Sequence, residues 1–376
     1  MNPTRPRPTE ELCRGLDSLL ARAVERRHVR HGLMVVTDVD DSWEWQGALG
    51  IVDPAGTPAT PDTRYPIASV TKLFTASIVM SLIEEEKLSL RDRIVDLLPD
   101  EVTRGLHVRK GVDRTVEITV EHLLSHTSGL PDYYGEAPAG GRSQEDRLLD
   151  GEDAPMPFDE ALRVVREDLT PHFAPQPLDE PKNRAHYADT NYQLLGAVIE
   201  EICGQPLHSV FDERLFQPLD LNDTSSYPHP PGSGASPEPQ AHIWSGDRVL
   251  VPQGALRYQV PDGGIISALA DQVRFLQALI RGEVFEGAWS RMQHRFNRVF
   301  YPVDYGLGVM RYAPPRWMSP LFPVPAVVGH TGSTATWLFH CPDLRIVTAG
   351  AFDVTQPPLP FRFVPHVLRA VAKLGA

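Results

Sequence analysis

The sequence predicts an α+β fold, an α/β sandwich in which an antiparallel sheet of five or more strands is built from both termini and flanked by helices. Short apolar runs typical of strands occur within residues 32–52 and again after residue 300. The stretch between them is dominated by apolar residues at helical spacing. We therefore expect a sheet unit made of residues 1–68 and 290–376, with a mainly helical lobe, residues 69–289, inserted into it.

The first part of the chain is predicted to contain a helix, a hairpin and a long buried helix. Residues 9–30 carry apolar positions at helical spacing and predict an amphipathic helix. The apolar runs 32–38 and 43–52 are joined by a polar turn and predict a β-hairpin. Residues 69–86 are mostly apolar, so we expect a long helix that is buried between the two units.

Shorter elements are predicted for the rest of the chain. A helix is expected to begin after Thr119 and to end at Gly129, and another is expected to be capped by Thr190. The polar stretch 135–157 is rich in Gly and Pro, which indicates a mobile loop over or beside a site. Ser267 is predicted to cap the last helix of the lobe. Further elements are expected in this order: helices over 158–169 and 206–215, a loop over 228–240, a hairpin over 241–252, four strands within 305–352 and a final helix over 359–374.

The composition is typical of a soluble globular protein. Of the 376 residues, 41% are hydrophobic and 23% are charged. The net charge of −13 argues against nucleic acid or an anionic membrane as a partner. No apolar run approaches the length of a membrane span, and Met1–Leu12 lacks the apolar core of a secretory signal. We therefore expect a cytoplasmic protein with no nucleic-acid or membrane partner, and no feature predicts its oligomeric state.

The start of the long apolar helix combines a nucleophile with a candidate base. Ser69 lies in the predicted first turn, where free backbone N–H groups favour negative charge. Lys72 follows three residues later and shares a helix face with Ser69. A hydroxyl is a weak nucleophile near neutral pH, and a lysine between apolar walls has a lowered pKa that would let it act as the base. The chain has five lysines against 31 arginines, so a lysine on this apolar face is conspicuous.

Two further segments complete a known pattern. Tyr187 and Asp189 stand just before the predicted helix that begins near residue 190, and the run His330–Ser333 stands between two predicted strands. With the Ser-x-x-Lys spacing, these segments resemble the three catalytic motifs of the serine β-lactamase and penicillin-binding-protein-like superfamily. The resemblance is strongest to the class C-like branch, which includes esterases, D-amino peptidases and acyltransferases, and it covers about residues 15–375.

The resemblance implies a role for each motif residue. Ser69 matches the acylated nucleophile, and Lys72 matches its proton partner. Tyr187 matches a tyrosine that acts as base or acid between the nucleophile and the leaving group, which requires a lowered pKa that Lys72 could provide. By the same resemblance, the backbone N–H groups of Ser69 and Ser333 form the oxyanion hole.

Two positions depart from the family pattern. Asp189 stands where asparagine is usual, and its ionised carboxylate can pair with Lys72 but cannot donate a hydrogen bond. Such a pair would keep Lys72 protonated and favour Tyr187 as the base, although the sequence leaves the choice between the two open. His330 stands where lysine is usual, and a neutral imidazole attracts a substrate carboxylate less strongly.

The resemblance also implies a set of residues that bind substrate. Asp189 and His330 belong to this set, as does Thr331 beside His330. Gly332 would let the substrate backbone approach closely. Tyr133 falls where the family places a residue that lines the cleft.

No metal ion or cofactor is predicted. His122 and His126 are four residues apart on a predicted helix, but the sequence places no third ligand nearby. Cys13, Cys203 and Cys341 form neither a metal-binding spacing nor a disulfide framework. The chain has no glycine-rich phosphate loop and no Gly-x-Ser-x-Gly elbow.

The expected reaction is acyl transfer, in which Ser69 attacks the carbonyl group of a small-molecule ester or amide and forms an acyl-enzyme. An esterase or acyltransferase is the preferred interpretation. A D-amino-acid peptidase or amidase, or a weak β-lactamase, is the alternative within the same chemistry. A catalytically silent binding protein on the same scaffold is the alternative from another class, and the presence of Ser69, Lys72 and Tyr187 together argues against it.

Overall fold

The computed structural model describes residues 8–25, 29–180, 183–226, 241–250, 256–318, 323–355 and 358–374. The predicted loop 228–240 lies outside these residues. The helices, in chain order, are α1 (Glu10–Val24), α2 (Thr71–Glu84), α3 (Ile94–Leu97), α4 (Asp100–Thr103), α5 (Val120–Leu124), α6 (Gln144–Leu149), α7 (Phe158–Arg163), α8 (Asp189–Cys203), α9 (Leu207–Phe211), α10 (Leu269–Arg281), α11 (Ala288–Met292) and α12 (Leu359–Leu374). The strands are β1 (His31–Asp38), β2 (Glu44–Gly50), β3 (Tyr65–Pro66), β4 (Val108–Arg109), β5 (Val112–Asp113), β6 (Ser225–Ser226), β7 (Ile243–Ser245), β8 (Arg248–Leu250), β9 (Ile265–Ser267), β10 (Asn297–Phe300), β11 (Val303–Tyr305), β12 (Met310–Tyr312), β13 (Val327–Thr331), β14 (Trp337–Cys341) and β15 (Ile346–Ala351).

The main sheet has eight strands in the order β10-β11-β12-β13-β14-β15-β1-β2, and every neighbouring pair is antiparallel. The two ends of the chain meet where β1 pairs with β15, with Leu33 opposite Ala351 and Asp38 opposite Ile346. This pairing confirms the predicted antiparallel sheet of five or more strands built from both termini.

Both faces of the sheet are covered by helices. Along β1, Leu33 and Val35 belong to one hydrophobic cluster, whereas Met34 and Val36 belong to another. The first cluster also contains apolar residues of α2 and α10, and the second contains those of α1 and α12. Successive side chains of a strand point to opposite faces, so this alternation places the sheet in the middle of a sandwich. The helix α10 belongs to the stretch that was expected to form the helical lobe, but it packs on one face of the sheet. The division of the chain at residues 69 and 289 stays a prediction.

The helix α2 is deeply buried. Most of its side chains are shielded from solvent, which agrees with its nearly continuous apolar sequence. It packs close to the loop before β12, because a Cβ added at Gly308 would lie 2.1 Å from the Cβ of Ala76. The helix is preceded by a tight turn, Ala68–Val70, in which Ala68 has a φ of 48°. Ser69 therefore lies in this turn rather than in the first turn of the α-helix.

Three predicted helix ends are wrong, and in two of these cases a tertiary hydrogen bond has replaced the local signal. The cap of α8 is Ala188, because the Thr190 hydroxyl donates to the Pro131 carbonyl oxygen at 2.7 Å. The cap of α10 is Ala268, because Ser267 lies in β9 and its hydroxyl bonds to that of Thr224 at 2.7 Å. The helix α5 ends at Leu124, well before Gly129. A hydroxyl that could cap a helix bonds instead to another partner when the fold brings that partner within reach.

The predicted loop 135–157 also contains regular structure. Its residues include α6, which Ser143 caps by accepting a hydrogen bond from the backbone N–H of Asp146 at 3.0 Å.

Among the residues that the structure describes, no helix has both the length and the apolar character needed to cross a membrane.

Substitution of Gly308 by alanine is expected to destabilise the fold more than substitution of Gly56. Both glycines have a left-handed backbone, with φ of 84° and 87°, so each substitution costs about 1–2 kcal/mol of backbone strain. At Gly308 the new methyl group also overlaps Ala76, whereas at Gly56 no atom lies within 4 Å. Overlap in a packed core adds about 1–3 kcal/mol. Urea denaturation of the two variants measures the difference, and equal losses of unfolding free energy would contradict the close approach of Gly308 to α2.

Candidate active site

A cleft of about 220 Å³ opens where the turn before α2, the start of α8 and the end of β13 meet. Ser69, Tyr187, Asp189 and Ser333 all line this cleft, although they come from three distant parts of the sequence. The structure therefore brings together one residue or more from each of the three predicted motifs.

Lys72 lies at the base of this cleft and is fully buried. Its ammonium group donates hydrogen bonds to the hydroxyl oxygen of Ser69 at 3.1 Å and to the carbonyl oxygen of Asp262 at 2.7 Å. It also forms an ion pair with the carboxylate of Asp189 at 2.6 Å. The charge of Lys72 is thus compensated within a site that holds the Ser69 hydroxyl beside it.

Opposing influences act on the pKa of Lys72. Burial lowers the pKa, but the nearby Asp189, Tyr187 and Asp262 outweigh burial and raise it above the ordinary value of a lysine. Lys72 therefore carries a positive charge at neutral pH. The ion pair with Asp189 is the one that the departure from asparagine suggested.

Tyr187 lines the cleft beside Ser69 and Lys72. The Lys72 ammonium nitrogen lies 5.2 Å from the centre of the tyrosine ring. The buried hydroxyl of Tyr187 forms no hydrogen bond of ordinary length and angle with any other described residue. Burial raises the pKa of this phenol, and the lowering effects of Lys72 and of the Ser69 hydroxyl do not overcome burial. The expectation that Lys72 would lower the pKa of Tyr187 below its ordinary value is therefore wrong.

His126 helps to hold Tyr187 and α8 in place. Its Nδ1 atom accepts a hydrogen bond from the backbone N–H of Ala188 at 3.2 Å and lies 2.9 Å from the side-chain amide of Asn191. The rings of His126 and Tyr187 are in contact, with their centres 4.5 Å apart. His122 bonds elsewhere, with its Nε2 atom 2.7 Å from the carbonyl oxygen of Gln176. Both histidines therefore serve the packing of the lobe.

The third motif contributes Ser333 to the lining of the cleft, whereas the side chain of His330 lies behind it. His330 is buried between the hydroxyl of Tyr305 at 3.0 Å and the carbonyl oxygen of Thr331 at 2.7 Å. Burial, with a contribution from Lys72, lowers the pKa of His330 to about 3, so the imidazole is neutral at physiological pH. Among the described residues, the cleft is lined by Ser333 and Thr334 rather than by His330 and Thr331. The predicted contacts of these two side chains with substrate are corrected accordingly.

Gly332 allows two segments of the site to pack tightly. A Cβ at this position would lie 2.8 Å from the Cβ of Ala68 and 2.9 Å from the carbonyl oxygen of Ile67. The glycine therefore lets the turn after β13 approach the turn that carries Ser69, whereas the sequence suggested that it makes room for substrate. This approach places Ser333 on the cleft together with Ser69.

Tyr134, and not Tyr133, lines the cleft. Tyr133 is buried behind the wall of the cleft, where its hydroxyl donates to a carboxylate oxygen of Asp262 at 3.0 Å. The prediction of a cleft-lining tyrosine is thus displaced by one residue. The loop conformation decides which of the two neighbouring rings faces the cleft, and the sequence carries no signal for it.

Several acidic residues line the cleft besides Asp189. They are Asp132, Glu145 and Asp262. Burial, followed by the charge of Asp189, raises the pKa of Asp132 well above its usual value and the pKa of Asp262 to about 8. The same two causes raise the pKa of Glu145. The sequence analysis did not include these residues in the site, although Asp262 stands in a conspicuous Asp-Gly-Gly run and Asp132 follows Pro131.

Comparisons with known proteins identify the family of this chain. A family model described as Beta-lactamase matches residues 16–373. Penicillin-binding protein 4 of Amycolatopsis lactamdurans is 30% identical over 234 residues, which are 58% of this chain and 51% of that protein. The matched region thus spans about half the length of this relative. Esterase EstB of Burkholderia gladioli is 30% identical over 292 residues, which are 71% of this chain and 70% of that protein.

Solved structures share the fold over nearly its full length. The crystal structure of a D-stereospecific amidohydrolase from Streptomyces sp. has a TM-score of 0.72 and 26% sequence identity, and the similarity covers 97% of this chain and 98% of that chain. Because the family model spans almost the whole chain and the fold agrees over the same extent, this chain belongs to the β-lactamase family of serine hydrolases.

Proposed function

We propose that this protein forms an acyl-enzyme on Ser69 from a small ester or amide and then transfers the acyl group to water or to another small acceptor. The observation that carries the proposal is the hydrogen bond from the buried Lys72 ammonium to the Ser69 hydroxyl oxygen at the base of an open cleft. A hydroxyl that is held by a buried cation can develop negative charge at low cost.

Each group next to Ser69 has a distinct part in the proposed reaction. Lys72 stays protonated, holds the Ser69 oxygen in position and stabilises the negative charge that develops on it. Tyr187 passes its phenolic proton to the leaving group and takes up the proton of Ser69 in its place, so it is neutral before and after the tetrahedral intermediate forms and collapses. The backbone N–H groups of Ser69 and Ser333 stabilise the oxyanion of that intermediate. Water or another acceptor then releases the acyl group by the reverse sequence of proton transfers.

The charges around the cleft indicate the class of acyl donor. Asp132, Glu145, Asp189 and Asp262 line it, no arginine among the described residues does so, and Lys72 at its base is already paired with Asp189. The neutral, buried His330 cannot supply the positive charge that would attract a substrate carboxylate. We infer that the cleft favours donors that carry a free amino group, such as amino-acid amides and esters, over donors that carry a carboxylate. Amidase or esterase activity on such donors is the specific function that these charges support.

Substitution of Ser69 by alanine is expected to abolish covalent labelling. Wild-type protein treated with a fluorophosphonate should gain the mass of one phosphonyl group, because only an activated hydroxyl reacts with this reagent near neutral pH. Intact-protein mass spectrometry measures the adduct. The Ser81→Ala variant changes a serine farther along the same helix and should label like the wild type. Labelling of Ser69→Ala, or no labelling and no ester hydrolysis by the wild type, would contradict the proposed function.

Substitution of Asp189 by asparagine is expected to change the pH dependence of activity. The carboxylate raises the pKa of Lys72, so its removal lowers that pKa, and Lys72 loses its proton at a lower pH. The alkaline limb of the kcat/KM profile for p-nitrophenyl acetate should therefore move to lower pH by about 1 unit or more. The Asp179→Asn variant changes an exposed carboxylate and should keep the wild-type profile. An unchanged alkaline limb in Asp189→Asn would show that the charge of Lys72 is not required.

The charge of the acyl donor is expected to decide the rate. Phenylalanine amide with a free amino group should be turned over at least about tenfold faster, as kcat/KM, than its N-succinyl derivative, because the carboxyl groups of the cleft can ionise beside an ammonium group, whereas none of the described cleft residues offers an unpaired positive charge to the added carboxylate. Both enantiomers should be tested, with the released ammonia measured. The Glu145→Gln variant removes one acidic group from the wall of the cleft and should reduce the ratio of the two kcat/KM values. A preference for the succinyl derivative would overturn the inferred donor class.

A further inference from the structure

Three side chains that could bind a metal ion meet beside the cleft, outside the residues assigned to the reaction. One carboxylate oxygen of Glu136 lies 2.9 Å from the Nε2 atom of His172 and 2.8 Å from the Nε2 atom of His186. All three ligand atoms lie within 4.8 Å of one another. The histidines are 36 and 50 residues away from Glu136 in the sequence, so no local motif announces the cluster.

The chemistry of the cluster matches one class of ion. Two imidazole nitrogens and one carboxylate oxygen are ligands of Zn²⁺ and of similar first-row transition-metal ions, whereas Mg²⁺ and Ca²⁺ prefer oxygen ligands alone. Ligand atoms around a tetrahedral zinc ion lie roughly 3.3 Å apart, given bonds of about 2.0–2.1 Å. The oxygen–nitrogen distances in the cluster are only a few tenths of an ångström shorter. Three protein ligands would leave the fourth position to water.

The backbones that carry these ligands are held in place. The N–H of His172 donates to the carbonyl oxygen of Gly129, and the N–H of His186 donates to that of His126, both at 2.9 Å. The same carboxylate oxygen of Glu136 that faces the histidines accepts a hydrogen bond from the N–H of Asp132 at 2.7 Å. The three side chains therefore converge without a large rearrangement of the main chain, which lowers the cost of binding an ion.

The three side chains are also accessible from solvent. Their side-chain exposures are 36% for His172, 29% for His186 and 28% for Glu136. An ion can therefore reach them in the folded protein. The two imidazole rings are in contact, with centres 3.7 Å apart and planes inclined at 32°, and they need to turn apart for both nitrogens to face one ion.

We propose that Glu136, His172 and His186 form a binding site for a zinc-type transition-metal ion. The site joins the loop that contains Asp132 and Tyr134 to the residue that directly precedes Tyr187. A bound ion would link these two segments and hold this side of the cleft in one arrangement. The role is structural, because none of the three ligands lines the cleft among the described residues.

Zinc binding by the untagged full-length chain tests the proposal. Protein freed of metal by a chelator should bind one equivalent of Zn²⁺ in a calorimetric titration, and Co²⁺ should give the visible absorption of a four-coordinate site. The Glu136→Gln and His172→Ala variants should bind Zn²⁺ at least about tenfold more weakly. The Glu136→Gln variant keeps the size and a hydrogen-bond acceptor, so it decides the question if His172→Ala does not fold. The His294→Ala variant removes an exposed histidine elsewhere and should bind like the wild type.

Four results separate this proposal from its alternatives. No zinc binding by the wild type, or equal affinities in the wild type and Glu136→Gln, would overturn it. Tighter binding of Mg²⁺ or Ca²⁺ than of Zn²⁺ would overturn the assignment of the ion. A rise in the thermal unfolding midpoint on addition of Zn²⁺, seen in the wild type and in His294→Ala but absent in Glu136→Gln, would support it.

Discussion

The burial of one positive charge, that of Lys72, constrains the whole centre of this protein. A buried ammonium group costs several kcal/mol unless it is paired and hydrogen-bonded. Here its partners come from three places: the turn that carries Ser69, the start of α8 at Asp189, and the carbonyl oxygen of Asp262 ahead of β9. The turn before α2, the start of α8 and the loop before β9 must therefore be brought together before the charge is compensated. The same three contacts hold the Ser69 hydroxyl at the base of the cleft.

The electrostatics of the cleft follow from this single ion pair. Burial, followed by the charge of Asp189, raises the pKa of Asp262 to about 8, and the one buried cation can balance only one of these carboxylates. Tyr187 lies in the same enclosed space and keeps its proton because burial outweighs the attraction of Lys72. The proposed reaction therefore begins from a cationic lysine and a neutral tyrosine. A cationic substrate would find carboxyl groups that are able to ionise in response to it.

Much of the fold could be predicted because the spacing of apolar residues within a segment indicates whether that segment forms a strand or a helix. The strands near both termini and the buried helix α2 carry runs that leave few alternatives. The caps of α8 and α10 could not be predicted, because Thr190 and Ser267 use their hydroxyl groups to bind partners in distant segments. Gly332 was singled out for a different reason than the one that the structure reveals, since its neighbours at Ala68 and Ile67 are far away in the sequence.

The sequence by itself determined which chemistry is present: the spacing of Ser69 and Lys72, the order of the three motifs and the carboxylate at position 189. Only the tertiary structure decided how these groups behave. It placed Asp189 against Lys72, buried His330 away from the cleft and turned Tyr134 rather than Tyr133 toward it. It also gathered Glu136 with His172 and His186. The physical reason is that the identity of a side chain is local, whereas its pKa and its contacts depend on burial and on charges contributed by distant parts of the chain.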